Sequence, residues 1–510
     1  MFRFFITFIK NNYSNYENKK MLLITLCCMG SWLYMFNFDY SYLSLPEKFY
    51  CLTKPHLNSC PKVFLLNDQM CNKFKLKINN KEKLINLLFS NKNYKESYAQ
   101  AYAGHQFGHF TKLGDGRAII IGEHVTKHNK RFDIQLKGGG ITQYSRNGDG
   151  KATLGSMLRE YLISEAMHYL NIPSSRSLAV IKTGETTYRR SKEEGSILVR
   201  VMKSHIRVGT FEYASYFGSS EDLKKITSYS INRLYPEISK CDNHALALLD
   251  IVMQKQIDLV VDWMRVGFIH GVMNTDNTSI SGESFDYGPC AFINTYDPKT
   301  VYSSIDHNGR YAFGNQPKII KWNILKLAEA LLPIIHENKN KSIQLAQSLI
   351  NNFDEIWERK YYSMMLKKIG FNSHDKNLYP LIDELLLLMK KLKMDYTNTF
   401  SFLSQDNFNA NQISRNTDLI KWQKKWNKSI TKTTSIKEAK HLMRKYNPIF
   451  IARNHLIDEA IKKAVNGDMV SINKILEILS TPYQYQDGLE EFIKPPSPNF
   501  EECFQTYCGT

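Results

Sequence analysis

Three polar residues in the segment HGVMNTDNTSISGESFDYGP are of types that could bind a metal ion and accept a proton. Asn277 and Asp286 supply an amide oxygen and a carboxylate, the kind of ligands with which proteins hold magnesium on a nucleotide. Asp276 adds a second carboxylate that could act as a general base. Asx turns alone would explain the sequence NTDN but not an Asp-Tyr-Gly at this distance. The segment therefore predicts a metal–nucleotide site with a proton acceptor beside it.

The same segment can be compared with the motifs of protein kinases, which place H-R-D-x-x-x-x-N before Asp-Phe-Gly. On that frame His270 and Asn277 are in register, and Asp286 begins the second motif. The position of the kinase base is Val272, which cannot accept a proton, and Asp276 lies four residues beyond it. The comparison leaves two interpretations open, an inactive kinase or a kinase-like fold with different chemistry.

Glycine-rich segments earlier in the chain could surround a phosphate. In LGDGRAIII, Gly114 and Gly116 allow backbone amides to approach a phosphate, and Arg117 supplies a fixed charge. A second loop, SRNGDGKA, contains Asp149 and Gly150 and precedes a helical pattern, whose N-terminus would attract an anion. Each motif alone is weak evidence, because G-x-G turns are usually only turns and Asp149 could simply cap the helix.

Four charged residues could complete such a site. Lys137 ends the strand-like FDIQLK, and Glu160 lies in the helical pattern that follows. In kinases a strand lysine pairs with a helical glutamate and also contacts the nucleotide phosphates. A buried structural ion pair is the simpler interpretation. Arg200 and Arg207 lie in SILVRVMKSHIRVG. They could converge on one triphosphate or be ordinary solvated arginines.

The elements that position these residues follow from the apolar patterns. Up to about residue 240 strand-like runs alternate with glycine-rich turns, and beyond it apolar residues recur mostly at helical spacing. We expect strands at 132–137, 177–183 and 196–202, and helices at 151–170, 244–267, 322–333, 380–394 and from about 436. Two short helices are expected between residues 75 and 102. Residues 403–433 are expected to form a loop or insertion, and the tail after Pro482 to be extended and mobile.

This order predicts an α+β, bilobal, protein-kinase-like fold with a β-rich N-terminal lobe, a helical C-terminal lobe and extra helices at the C-terminus. The expected divisions are an extension at 1–35, an N-terminal lobe at 36–240, a C-terminal lobe at 241–482 and a tail at 483–510. The extension contains an apolar run about as long as a signal-peptide core but no clear cleavage site. A targeting segment and a misplaced start both remain open.

Composition narrows the function classes. The chain has 510 residues, of which 43% are hydrophobic, and a net charge of +18. The lysines are spread along the chain without an arginine-rich run or zinc finger, so we expect no nucleic-acid partner. The nine cysteines form no C-x-x-C pair, which argues against a structural zinc site. We also expect no stable membrane association and a monomer.

Taken together, these motifs resemble the selenoprotein O family of protein adenylyltransferases, which have a pseudokinase fold. The matching blocks run from about residue 36 to the end of the chain and are YAGHQFG, LGDGRA, QLKGGG-x-T-x-YSR-x-GDG, LREYLISEAM, HGVMNTDN-x-SI, DYGP, GRYAFGNQP, IARNH and CGT. The resemblance implies that ATP binds flipped relative to ordinary kinases. AMP would then be transferred to Ser, Thr or Tyr hydroxyls of acceptor proteins, with Mg²⁺ or Mn²⁺ as the cofactor.

The resemblance also implies a role for each candidate residue. Asp276 would be the proton acceptor, and Asn277 and Asp286 would bind the metal ion. The nucleotide would be held by Gly114, Gly116, Arg117, Lys137, Asp149, Gly150, Glu160, Arg200, Arg207 and Asp286. Two alternatives remain, a conventional phosphotransferase and an ATP-binding pseudokinase scaffold without activity. A bacterial cytoplasmic location is expected, with a mitochondrial one as the alternative if the source is eukaryotic.

The chain departs from the family pattern at positions outside these roles. Gly139, Gln143 and Gly155 stand where the family usually has Ala, Pro and Arg. Cys508 takes the position at which some members carry selenocysteine. In the family a tail thiol can pair with a cysteine of the activation segment, for which Cys290 is the nearest candidate here. The resemblance therefore suggests a redox switch.

Overall fold

A computed structural model describes residues 36–56, 60–76, 78, 81–89, 96–189, 191–405 and 416–507. The predicted extension at 1–35 and Cys508 lie outside the described residues. Within the described ranges, no helix is both long enough and apolar enough to cross a membrane.

Most strands belong to one antiparallel sheet in the first half of the chain, and β12 and β13 form a separate pair in the second half. The strands are β1 (Phe38–Asp39), β2 (Tyr50–Leu52), β3 (Lys62–Leu66), β4 (Tyr98–Gln100), β5 (Ala103–Gln106), β6 (His109–Lys112), β7 (Ala118–Val125), β8 (Arg131–Lys137), β9 (Ala152–Thr153), β10 (Arg176–Tyr188), β11 (Lys192–Met202), β12 (Phe268–Ile269) and β13 (Ala291–Phe292). The main sheet has the order β2-β4-β7-β8-β11-β10-β3, with β1 paired to β7 and β9 to β11. β5 pairs with β6, and β12 pairs with β13.

The helices dominate the second half. They are α1 (Asp68–Lys73), α2 (Lys81–Phe89), α3 (Leu154–Tyr169), α4 (Val208–Phe217), α5 (Ser220–Leu234), α6 (His244–Val266), α7 (Gln316–Ile335), α8 (Lys339–Asn351), α9 (Phe353–Lys368), α10 (Tyr379–Lys391), α11 (Tyr396–Leu403), α12 (Thr417–Thr433), α13 (Ile436–Tyr446), α14 (Asn454–Val465), α15 (Val470–Leu479) and α16 (Pro498–Cys503). α6 packs against α7 and α9, and α4 packs against α7. The predicted α+β class is confirmed by this order, a β-rich part followed by a helical part.

Alternation along two strands decides which side chains face the site. In β8, Phe132, Ile134 and Leu136 join the apolar cluster on one side of the sheet, as do alternate residues of β11. Because successive strand residues point to opposite faces, Gln135 and Lys137 point to the other face. The antiparallel register places Arg200 of β11 opposite Gln135. Lys137, Gln135 and Arg200 therefore share one face of the sheet.

Helix α3 packs against β10 and β11 and covers that polar face. Its N-cap is Thr153, whose side chain accepts a hydrogen bond from the backbone amide of Ser156. Leu158 and Leu162 of the helix are fully buried in the main core. Glu160, on the same helix, is only 2% exposed and points at the sheet lysine. The predicted strand, helix and their order are confirmed.

The segment that contains Asp276, Asn277 and Asp286 lies between the long helix α6 and strand β13. Asn243 caps the start of α6, and Gly267 ends it with a positive φ of 76°, a conformation that glycine adopts without strain. β12 then leads into the polar loop, and a single turn of 3₁₀ helix covers Thr275–Asn277. The Asp-Tyr-Gly follows before β13 closes the hairpin.

Three expectations about secondary structure are wrong. The expected loop at 403–433 contains α12, because its abundant Lys and Asn hide an apolar stripe of Leu419, Trp422, Trp426 and Ile430, all buried. Of the two short helices expected between residues 75 and 102, only α2 lies in the described chain, and β4 (Tyr98–Gln100) is found near the expected end.

The expected extended tail instead forms α16 and then docks on the segment after the Asp-Tyr-Gly. The backbone amide of Thr506 donates to the carbonyl of Tyr302 at 2.8 Å. The Thr506 hydroxyl donates to the carbonyl of Pro289 at 2.7 Å. An aromatic contact adds to the docking, since the ring centroids of Phe504 in the tail and Tyr302 lie 5.6 Å apart.

Candidate active site

The predicted site residues meet around one cavity of about 480 Å³. This volume is within the usual range for small-molecule sites. The predicted residues that line it are Gly114, Gly116, Arg117, Lys137, Asp149, Gly150, Arg200, Arg207, Asp276, Asn277 and Asp286. The remaining one, Glu160, lies directly behind Lys137 and Arg200. Residues that are distant in sequence are thus brought together as predicted, while their individual roles remain predictions.

The lining is strongly cationic. Seven lysines and arginines line the cavity, namely Arg117, Lys137, Arg146, Lys151, Arg189, Arg200 and Arg207. The lining contains four aspartates, Asp115, Asp149, Asp276 and Asp286. An excess of arginine favours phosphate groups, whose oxygens match the planar donors of guanidinium. The cavity is therefore suited to a polyanion such as a nucleoside triphosphate.

Lys137 is held between two carboxylates. Its Nζ donates to Oε2 of Glu160 at 2.6 Å and also contacts Oδ1 of Asp286. Burial opposes the ionisation of Asp286, but the charges of Lys137 and Arg200 outweigh it and hold the pKa of that carboxyl well below normal. A lysine, a helical glutamate and the aspartate of the Asp-Tyr-Gly meet in this way in protein kinases. The kinase-like character of the fold is thus present in the site itself.

Arg200 and Arg207 are not solvated surface arginines. The side chain of each is only 4% exposed. Arg200 donates to Oε1 of Glu160 at 2.9 Å and, through Nε and Nη2, to the side-chain oxygen of Gln135. Arg207 donates to the backbone oxygen of Asp276 and lies over the ring of Tyr102 at 4.0 Å. Both guanidinium groups line the cavity.

Sequence reasoning missed several polar residues of the site. Asp115, between the two predicted glycines, is 3% exposed, and its carboxylate lies 3.6 Å from Nη2 of Arg207. Gln135 is fully buried and orients Arg200. A polar residue at the centre of the apolar strand FDIQLK was the available signal, because a buried amide needs a partner. Arg189 also lines the cavity, but no sequence pattern around it indicated a role in the site.

The second glycine loop packs against the end of the QLKGGG segment. Gly150 has a φ of 68°, and a Cβ added to it would lie 2.2 Å from the carbonyl carbon of Gly140. Asp149 does not cap α3, so that interpretation is wrong. Its carboxylate accepts bonds from the amide of Lys151 and from both Nη groups of Arg189. The Arg189 contact lowers the pKa of Asp149 to about 2.

Asp276 has the environment of a general base. It is 7% exposed, and its Oδ1 is buried with no hydrogen-bond partner in the described chain. Burial raises its pKa to about 6, although Arg207 acts in the opposite direction. A base with a pKa near the working pH can take up a proton and release it again. Gly104 permits the packing, because a Cβ there would lie 2.3 Å from Asp276 Oδ1.

A buried polar network supports the turn that carries Asp276. Glu212 of α4 contacts Nδ1 of His105 at 2.5 Å and accepts a bond from the hydroxyl of Thr275 at 2.5 Å. The same hydroxyl accepts a bond from the backbone amide of His105 at 2.7 Å. Burial raises the pKa of Glu212 to about 7. The network fixes the residue immediately before Asp276 to both α4 and β5.

Replacing Glu212 with alanine is expected to lower kcat by roughly 10- to 100-fold with little change in the KM for the nucleotide that the resemblance implies. The change leaves the buried His105 and Thr275 groups unpaired and allows the Asp276 turn to shift, and small misplacements of a catalytic group have effects of this size. Glu212→Gln keeps both hydrogen bonds, with the amide donating to His105 and accepting from Thr275, and should restore most of kcat. Equal losses in both variants would contradict a positioning role.

The pH dependence of stability provides a second readout for Glu212. Its folded-state pKa is raised from 4.5 to about 7, so the protonated form contributes stability that is lost as pH rises through about 7. Glu212→Gln does not titrate and should show a smaller fall in melting temperature between about pH 4.5 and 7.

The donor set at Asn277 and Asp286 fits a nucleotide-bound divalent cation. The Asn277 side-chain amide donates to the carbonyl of Val272 at 3.0 Å, which leaves its oxygen for a cation. The side chain of Asp286 is 36% exposed, on a backbone with a φ of 64°. In the described chain there is no group of three or more His, Cys, Asp or Glu that could hold a metal ion. One carboxylate and one amide match Mg²⁺ or Mn²⁺ held jointly with phosphates rather than by a protein cage.

His270 and Val272 fill the places that the kinase comparison gave them. His270 is buried, and its Nε2 lies 2.9 Å from the carbonyl oxygen of Phe285, so it joins the polar loop to the Asp-Tyr-Gly. Burial lowers the pKa of His270, which favours the neutral ring. Val272 is buried at the cavity wall and presents only an apolar side chain to it.

The suggested redox switch stays a prediction, because Cys508 lies outside the described residues. Its suggested partner, Cys290, is fully buried, and burial raises the pKa of this thiol to about 12. Thr506 nevertheless bonds to Pro289, the neighbour of Cys290, so the docked tail passes close to that cysteine.

Comparison with known proteins identifies clear relatives. A sequence model of the family described as protein adenylyltransferase SelO matches residues 33–480. Protein nucleotidyltransferase YdiU of Pelagibacter ubique is 49% identical over 479 residues, which cover 93% of this chain and 99% of that protein. The YdiU protein of Bacillus cereus strain AH820 is 48% identical over 483 residues, with coverages of 93% and 98%.

Similarity to solved structures is far weaker. ROP2 of Toxoplasma gondii, described as a virulence factor with a protein-kinase fold and no enzymatic activity, is 10% identical and aligns with a TM-score of 0.23. The alignment covers 57% of this chain and 87% of ROP2. A Toxoplasma gondii rhoptry antigen kinase domain gives a TM-score of 0.22 at 9% identity. Scores this low support no conclusion about the chain.

Proposed function

The chain belongs to the protein adenylyltransferase SelO family, and from that premise we propose that it transfers AMP from ATP to Ser, Thr or Tyr hydroxyls of proteins and releases pyrophosphate. The observation that carries the proposal is the position of the buried carboxylate. Asp276 lines the cationic cavity, whereas the position of the kinase base is the apolar Val272.

The proposed reaction uses ATP, the acceptor hydroxyl and one carboxylate of the cavity. The acceptor hydroxyl oxygen attacks the α-phosphorus of ATP, and its proton passes to the carboxylate of Asp276. The bond between the α-phosphorus and the oxygen that bridges it to the β-phosphate breaks, and pyrophosphate leaves with that oxygen. Asp276 later returns the proton to solvent. A base with a pKa of about 6 is ionised, and so able to accept the proton, at neutral pH.

The cations stabilise the charge that develops on the leaving group. Lys137, Arg200 and Arg207 line the cavity and are fixed by Glu160, Gln135 and backbone oxygens. Because they are already oriented, they need little reorganisation when negative charge grows on the β- and γ-phosphates. We propose that the triphosphate lies flipped, so that its α-phosphate is nearest Asp276 and the acceptor.

Asn277 and Asp286 are the proposed ligands of Mg²⁺ or Mn²⁺. When bound, the cation neutralises phosphate charge and orients the triphosphate. Asp286 also contacts Lys137, so the same carboxylate keeps that lysine in place on the phosphate side.

Two alternatives make different predictions. A conventional phosphotransferase needs the γ-phosphate at the acceptor and a base near Val272, where the side chain is apolar. A binding scaffold needs no base, and it gains nothing from burying Asp276 at a cost in stability. From the bacterial origin of the relatives named above, we propose a cytoplasmic enzyme that acts on ATP and acceptor proteins.

Mass spectrometry of acceptor proteins incubated with the enzyme and Mg-ATP tests the proposal. We expect a Ser, Thr or Tyr residue that has gained the mass of an AMP moiety, with one pyrophosphate released for each transfer. The Asp276→Asn variant serves as the control, because it should add AMP to the same acceptor far more slowly. A gain of phosphate alone would refute AMP transfer.

A further inference from the structure

A second cavity, of about 520 Å³, opens beside the nucleotide cavity. The two share Phe107 and Ile305, so they form one continuous surface. We call this second cavity the side groove. It is lined by Phe107, His109, Ile305, Asp306, His307, Asn308, Arg310, Asn315, Lys318 and Ile319. Most of these residues belong to two blocks of the sequence, GHQFGHF and IDHNGRYAFGNQP, for which the proposed reaction has no role.

The wall of the side groove is preformed by its own hydrogen bonds. The Asp306 carboxylate accepts bonds from the backbone amides of Arg310 and Tyr311, both at 2.8 Å. Asn315 donates to the carbonyl of Gly309 at 2.8 Å. A loop that is fixed in this way loses little conformational entropy when a ligand binds.

The side groove is also connected to the catalytic loop. Oδ1 of Asn274 accepts a bond from the amide of Phe107 at 3.2 Å and another from the hydroxyl of Tyr311 at 2.5 Å. Asn274 stands two residues before Asp276 in the same turn. A ligand in the side groove therefore lies against the segment that carries the proton acceptor.

Basic side chains outnumber acidic ones in the lining of the side groove. Arg310 and Lys318 are basic side chains, and the exposed His109 and His307 add further polar groups. The one carboxylate in its lining, Asp306, is used by two backbone amides. Nε of Arg310 is buried and has no hydrogen-bond partner in the described chain.

Apolar side chains complete the surface. Ile305 is 46% exposed, and Phe107 and Ile319 lie beside it. A surface that combines cations with an exposed apolar side chain suits a peptide segment with acidic and apolar residues better than it suits an inorganic anion.

We propose that the side groove binds the acceptor protein and selects segments in which Asp or Glu residues lie near the hydroxyl that is modified. The inference rests on the proposed function, since it assigns the acceptor to the cavity next to the AMP donor. ATP does not need the side groove, because the first cavity holds the predicted phosphate-binding side chains and is large enough for a nucleotide. Continuity through Phe107 and Ile305 lets an acceptor hydroxyl reach Asp276 while its flanking residues stay in the side groove.

Peptide binding tests this proposal without requiring transfer. Two fluorescent peptides with one central tyrosine are compared, one flanked by Glu and the other by Gln, and their binding to the full chain is followed by anisotropy. We expect the Glu peptide to bind more tightly, with a preference that falls as salt is added. The double variant His307→Glu and Lys318→Glu should weaken its binding by roughly tenfold, since two attractive contacts become repulsive.

A charge-reversal control is available away from the side groove. Lys318 is exposed in the first turn of α7, and Lys341 is exposed in the first turn of α8, where a carboxylate is tolerated because it interacts favourably with the helix dipole. α7 runs about 25 Å from Lys318 to its C-terminal end, where α8 begins after three intervening residues, so Lys341 lies far from the side groove. Lys341→Glu should leave peptide binding unchanged.

The outcomes separate this inference from the proposed function. Equal binding of the two peptides, or equal effects of the groove and control variants, would overturn the inference. A loss of ATP affinity in the groove variant would also overturn it, by assigning the side groove to the nucleotide. Selective peptide binding without AMP on any acceptor would support the side groove and refute the proposed function instead.

Discussion

Replacing Asp286 with asparagine is expected to lower the rate of AMP transfer by at least about a thousandfold, because one change removes the negative charge that faces both the metal ion and Lys137. Asparagine is the matched substitution, since it tolerates the positive φ of 64° at this position better than alanine does. Some fall in melting temperature is also expected, because Lys137 and Arg200 favour the ionised Asp286 carboxylate in the folded state.

ATP binding gives the same prediction a second, more specific readout. In the parent, Mg²⁺ should strengthen ATP binding, because the cation offsets the repulsion between Asp286 and the phosphates. Without Mg²⁺, the variant should bind ATP at least as tightly as the parent, since Lys137 and Arg200 are no longer neutralised by that carboxylate. An unchanged response to Mg²⁺ in the variant would contradict the assignment of Asp286 as a metal ligand.

Replacing Asp276 with asparagine is expected to lower kcat by roughly 10²- to 10⁴-fold, the usual contribution of a general base. In the parent, the rate should rise with pH through about 6, because only the ionised carboxylate accepts the proton. The small remaining activity of the variant should lack this acidic limb. An acidic limb that persists in Asp276→Asn would show that another group is the base.

The same variant is expected to be more stable than the parent at neutral pH. Burial raises the folded-state pKa of Asp276 from 3.8 to about 6, so stability is lost as pH rises between these values and stays lower above them. Removing the charge should raise the free energy of unfolding by up to about 3 kcal/mol, at about 1.4 kcal/mol per pKa unit. A variant that is less active but melts at a higher temperature cannot owe its loss to misfolding.

The sequence predicted the parts of the site that depend on local patterns. Lys137 and Arg200 lie on strands whose apolar residues alternate, so their shared face follows from the period of a strand. Glu160 lies on a helix that directly follows the glycine loops. No single motif specified how the segments meet. The twelve predicted residues were assigned to one site because the ordered blocks of the chain resemble those of the family.

What could not be predicted depends on contacts between distant segments. Glu212 and His105 are 107 residues apart and act together only because α4 packs against β5. Asp115 was overlooked between two glycines, although its burial beside Arg207 makes it part of the site. The helix α12 was missed because frequent Lys and Asn obscured its stripe of buried tryptophans.

The side groove was equally hidden from sequence reasoning. Its residues come from the hairpin β5–β6, the loop before α7 and α7 itself, and none of these segments has a chemical motif of its own. Only the fold shows that Phe107 and Ile305 join it to the nucleotide cavity.

The most direct test of the central claim is the identity of the group that is transferred. The enzyme is incubated with an acceptor protein and Mg-ATP that is labelled at the α-phosphate in one sample and at the γ-phosphate in another. AMP transfer predicts that α-label appears on the acceptor and γ-label is released as pyrophosphate, and that Asp276→Asn greatly reduces the first. γ-Label on the acceptor, without α-label, would contradict the account and identify a phosphotransferase.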